Sequence, residues 1–90
     1  MPIADGPVTI LVVDDEDSIR NALRKFLTQQ GYEVLTAATG EEALDSLRRH
    51  KITGMLLDVN LPGLSGIELV PQIMELEPQL EGLLALVWHR

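Results

Sequence analysis

The sequence of 90 residues contains no cysteine, which removes disulfides, thiolate metal sites and cysteine nucleophiles together. A zinc site would have to be built from His and carboxylate alone. This cysteine usage fits a cytoplasmic chain, the expected location. No apolar stretch approaches the roughly 20 residues that span a bilayer. The opening MPIADGPV carries neither the basic n-region nor the apolar h-region of a signal peptide. The expectation is a soluble, unexported protein with no membrane partner. Basic residues are also scarce, seven against fourteen acidic ones for a formal charge of -7, so the phosphate backbone of a nucleic acid is repelled and direct binding to it is not expected. There is no internal repeat and no low-complexity tract, and the length leaves no room for a second domain, so residues 1–90 are read as one domain.

Apolar residues make up 46% of the chain, enough for one compact core, and their pattern changes type along it. Ile10 to Val13 form a β-branched run too apolar for a strand with one wet face, and the run stops at Asp14-Asp15. Ile19, Ala22, Leu23, Phe26 and Leu27 then recur at helical spacing, with Asp17 or Ser18 as the N-cap and Gly31 as the C′ residue. Tyr32–Ala37 is the second strand. Thr39 with Glu42 has the spacing of a capping box, opening a helix over Gly40–Arg49 that buries Ala43, Leu44 and Leu47. Met55 to Leu57 make a third strand, again ended by an aspartate, Asp58. A turn-rich loop, Asn60 to Gly66, leads into a third helix carrying Val70, Ile73 and Met74, weakened or kinked by Pro71 and closed by Pro78. Leu83 to Trp88 is the last apolar run, taken as a fourth strand.

Strands alternating with helices over short loops require right-handed crossovers and a parallel sheet covered on both faces. In such sheets ligands sit beyond the carboxyl ends of the strands, where the strand order reverses. Asp14, Asp15 and Asp58 stand at two such ends. If the first and third strands are neighbours, three carboxylates converge, and their repulsion demands a cation or a proton. A hard divalent ion with oxygen ligands, most naturally Mg²⁺, meets that demand and neutralises an incoming phosphoryl group. Asp58, alone at its strand end, is the better nucleophile, since the Asp14-Asp15 pair can hold the metal from the neighbouring strand. A strand-ending aspartate can equally start a turn or cap a helix, but three of them after apolar runs favour the shared site.

The segments ILVVDDEDSIR and LLDVNLPGLSGIEL, in this order and at this separation, resemble the receiver domains of bacterial response regulators from about Thr9 to Leu80, with a divergent tail over 81–90. The resemblance implies a flavodoxin-like α/β/α sandwich with strand order 2-1-3-4, short of the family's fifth βα unit. It implies a signalling module rather than an enzyme. Asp58 matches the phosphoacceptor, Asp15 the direct metal ligand, Asp14 the acidic neighbour that reaches the metal through water, and Asn60 the position whose backbone carbonyl ligates the ion. The implied cofactor is Mg²⁺ and the implied partner a sensor histidine kinase, the phosphodonor. Pro62-Gly63 are read as shaping the loop, Ser65 as a helix cap, and His50 and His89 as surface residues. Trp88 is an anchor for a partner or a packing residue.

The family places Ser or Thr at the end of the fourth strand and Lys at the end of the fifth. After Ser65 this sequence has neither Ser nor Thr, and its lysines are Lys25 and Lys51. Two functions follow as expectations. One is a phosphoacceptor impaired in switching. The other is an interaction module, a homo-oligomer associating through an apolar stripe around Ala22, Phe26 and Leu27 and through its fourth strand as an open edge. An aspartate-nucleophile phosphatase is weaker, because the D-x-D arrangement is absent at Asp58, which is followed by Val59 and Asn60.

Overall fold

The computed structural model describes residues 8–61, 66–78 and 84–87. The expectations for Pro62, Gly63, Ser65, Trp88 and His89 lie outside them. The chain alternates β1 (Thr9–Val13), α1 (Asp17–Gln29), β2 (Glu33–Ala37), α2 (Gly40–Arg49), β3 (Gly54–Asp58), α3 (Gly66–Leu76) and β4 (Leu84–Val87). All strand pairs are parallel and the sheet runs β2-β1-β3-β4. This is the flavodoxin-like receiver topology, and it puts β1 beside β3, with Val13 opposite Leu57.

Side chains alternate across the sheet, so Leu11, Val13, Ala37, Met55 and Leu57 share one core with Ala43, Leu44 and Leu47 of α2 and Leu69 and Ile73 of α3. Burying each of the larger aliphatic side chains contributes about 1.5–3 kcal/mol. Glu41, Glu42, Asp45, Arg48 and Arg49 remain in solvent, which is the amphipathic division that the spacing predicts. On the other face α1 packs on β1 and β2. No residue of α1 is buried, and Phe26 is 57% exposed.

Local chemistry sets the helix ends. At the start of α2, Glu42 N–H donates to Thr39 Oγ1 at 3.1 Å, while the Glu42 carboxylate accepts from Ala38 N–H at 2.7 Å, one residue before the cap itself. At α1 the expected cap needs correction. Glu16 is the N-cap, without a side-chain bond, and Asp17 is the first helical residue, its charge in the first turn. The reason is upstream, because Asp14 Oδ1 accepts the Glu16 N–H and turns the chain into the helix one residue early. Pro71 lies inside α3, which nevertheless runs on to Leu76, two residues before Pro78.

The far end of α1 closes as expected at Gly31, whose φ of +99° is the left-handed conformation. Its N–H donates to the Thr28 carbonyl at 3.0 Å, and Tyr32 N–H donates to Leu27 at 3.2 Å, the paired bonds of a Schellman motif. An added Cβ would meet nothing within 4 Å, so the cost of Gly31→Ala is conformational alone. Urea unfolding of Gly31→Ala is expected to show a loss of about 1 kcal/mol, with the α1–β2 turn otherwise intact; unchanged stability would mean that the turn relaxes.

Candidate phosphoacceptor and metal site

Two apolar strands emerge side by side at the carboxyl end of the sheet, and each delivers an aspartate there. Asp14 follows the last residue of β1 and is 2% exposed; Asp58 ends β3 and is 1% exposed. Both are held by the same device. Asp14 Oδ1 accepts the N–H of Glu16 at 2.9 Å, and Asp58 Oδ1 accepts the N–H of Asn60 at 2.8 Å, each from two residues ahead. These side-chain turns redirect the backbone at the strand end and fix each carboxylate. A further bond from Asp14 N–H to the Ala37 carbonyl, 3.1 Å, ties the β1 end to β2. Leu61, 4% exposed and part of the core, anchors the loop just after Asn60.

Asp15 is the exposed member of the group. One carboxylate oxygen from each of Asp14, Asp15 and Asp58 lies within 4.8 Å of the others. The sequence-predicted carboxylates therefore do converge, and Asn60 sits beside them with its N–H on Asp58. Two buried carboxylates and an exposed one form an oxygen-only donor set open on one side, which fits a hard divalent cation that keeps part of its water. His50 is exposed at the end of α2, away from this set.

One residue near the site escaped the sequence reading. Arg20, in α1, donates from Nη1 to the backbone carbonyl of Asp14 at 2.7 Å and pairs through Nη2 with Asp17. The pairing with Asp17 at i,i+3 is visible in the sequence; the reach back to Asp14 depends on where α1 begins.

The family model of the response regulator receiver domain matches residues 10–85. The chain belongs to this family. The transcriptional regulatory protein AfsQ1 of Streptomyces coelicolor is 45% identical over 65 residues, which cover 72% of this receiver and 29% of that protein. This chain therefore spans less than a third of that curated relative. Among solved structures, a CheY-like receiver domain protein from Methanospirillum hungatei superposes with a TM-score of 0.88 at 30% identity, over 94% of this chain and 66% of that one. The response regulator TrrA of Thermotoga maritima, solved in complex with Mg²⁺-BeF, gives a TM-score of 0.82 at 37% identity, over 90% and 69% of the two chains. Among the described residues, no helix is long and apolar enough to cross a membrane.

Three carboxylates this close repel when no cation is present. Asp58→Asn keeps the Oδ1 acceptor for Asn60 and turns the other oxygen into a donor facing acids. It is therefore expected to raise stability in metal-free buffer by on the order of 1 kcal/mol. Urea unfolding in the presence of a chelator measures this, and a fall in stability would show that repulsion is not the dominant cost at the site.

Proposed function

We propose that this receiver is the phosphoacceptor module of a two-component phosphorelay, accepting a phosphoryl group on Asp58 from the phosphohistidine of a sensor histidine kinase with Mg²⁺ as cofactor. The observation that carries this reading is the convergence of Asp14, Asp15 and Asp58 within 4.8 Å at the ends of neighbouring strands. Membership of the receiver family and the Mg²⁺-BeF complex of the Thermotoga relative support it.

Asp15 and Asp58, with the Asn60 backbone carbonyl, are assigned as ligands, and Asp14 as the acid acting through water. A bound Mg²⁺ supplies positive charge to the oxygens of a transferring phosphoryl group. The chain's own part is positional. Asp58 is held by its Asn60 bond and directed by a rigid strand, so one carboxylate oxygen meets the phosphorus in a fixed orientation. As the new O–P bond forms, the P–N bond of the donor breaks and its electron pair returns to the imidazole nitrogen. The product is an acyl phosphate on Asp58.

The switch is proposed to be impaired. Val87 of β4 pairs in register with Asp58, and the family carries a hydroxyl at the end of this strand, whereas after Ser65 this sequence has neither Ser nor Thr. Without that hydroxyl, phosphorylation lacks one of the groups that convert it into a conformational switch.

A second reading, an assembly module that joins copies of this chain, is favoured by one observation: α1 buries no residue and leaves Phe26 57% exposed. One experiment separates the two. The protein is incubated with Mg²⁺ and a small-molecule phosphodonor, and then examined by intact mass and analytical ultracentrifugation. The expected result is a single labile phosphoryl adduct on the wild type and none on Asp58→Asn. An adduct retained by Asp58→Asn would overturn the assignment, and no adduct on a stable oligomer would establish the second reading instead.

A further inference from the structure

Of the three carboxylates, Asp14 and Asp58 are each secured through their own Oδ1, whereas among the described residues no hydrogen bond secures the side chain of Asp15. The place of Asp15 is therefore set by the backbone that carries it. The peptide joining Asp14 to Asp15 decides that place, and its carbonyl oxygen accepts from Arg20 Nη1 at 2.7 Å. The N–H of Asp14 is held separately by Ala37. Arg20 is 17% exposed although its ion-pair partner Asp17 is 83% exposed. An ordinary i,i+3 surface pair contributes a few tenths of a kcal/mol and requires neither that burial nor a second bond to a carbonyl six residues back. A guanidinium can serve both acceptors because its donors form a planar fork, which an ammonium lacks.

We propose that Arg20 is a positioning residue for divalent-cation binding: by holding the Asp14 carbonyl it fixes the Asp14–Asp15 peptide, and with it the Asp15 carboxylate, in the geometry of the acidic cluster. The proposal rests on the reading of that cluster as the Mg²⁺ site. A cation beside three carboxylates opposes binding of a second cation, so electrostatics alone predicts tighter Mg²⁺ binding once Arg20 is removed. Positioning predicts weaker binding in spite of the lost positive charge.

The test titrates the whole chain with MgCl₂ by calorimetry, using wild type, Arg20→Met, Arg20→Lys and Asp15→Asn, and follows the exchange of the Glu16 amide in metal-free protein. Arg20→Met is expected to bind Mg²⁺ about tenfold more weakly, the scale of other outer-shell supports of a metal site. Arg20→Lys should fall between it and wild type. The Glu16 amide, which donates to Asp14, should exchange faster in Arg20→Met while the β1–β3 ladder keeps its protection. Equal or tighter Mg²⁺ binding in a folded Arg20→Met overturns the proposal. If circular dichroism shows that Arg20→Met does not fold, Arg20→Lys decides, with weaker binding supporting the proposal and wild-type affinity overturning it. Wild-type affinity in Asp15→Asn would overturn the metal-site reading and this proposal with it. Lost affinity in Asp15→Asn with retained affinity in Arg20→Met overturns only the role of Arg20.

Discussion

Parallel pairing of β1 with β3 is the constraint on which the site depends, because it sets Val13 opposite Leu57 and so brings the residues just beyond them, Asp14 and Asp58, to one place. Neither aspartate could be brought there by local structure, since they lie in different βα units. The pairing is sustained by apolar residues that have no part in the chemistry: Leu11, Met55 and Leu57 on the side of α2 and α3, and Val12 on the other. A slip of one residue would turn every side chain of a strand to the opposite face and separate the carboxylates. Core packing and site geometry are therefore a single requirement. The two buried aspartates oppose it, being like charges in a region that water reaches poorly, and the exposed face of Asp15 is where a cation can offset them.

Most of this arrangement was legible in the sequence because it follows from patterns with a short physical reach. Apolar runs that end in aspartate gave β1 and β3, and the Thr39–Glu42 spacing placed the start of α2 at Gly40. Gly31 marked the end of α1 because only a residue without a Cβ takes a φ of +99° at little cost. The strand order 2-1-3-4 came from the family resemblance, and the sheet has that order. The cap of α1 was misread because the Asp14 turn competes for the Glu16 N–H. Periodicity does not register such a contact. Arg20 was overlooked for a related reason, as its bond to the Asp14 carbonyl exists only once the turn and the helix are placed together.

The two faces of the sheet differ in what they ask of the chain. On one, α2 and α3 close over a dry core, and that side holds the strand ends steady. On the other, α1 contributes partly buried Ile19, Leu23 and Leu27 but leaves Ala22 and Phe26 exposed. The same helix carries Arg20, so the element with least packing is also the one that reaches back to the site. Its hold on the β1 end comes through hydrogen bonds and the Glu16–Arg20 backbone bond of its first turn more than through buried area.

The three carboxylates are proposed to form one divalent-cation site. Its most direct test is paramagnetic: Mn²⁺, which prefers the same oxygen ligands as Mg²⁺, is titrated into isotope-labelled protein while amide resonances are followed. Residues 14–16 and 58–60 are expected to broaden first and together, and excess Mg²⁺ to restore them. Broadening that begins instead at other acids, such as Glu41 and Glu42 at the start of α2, would contradict it.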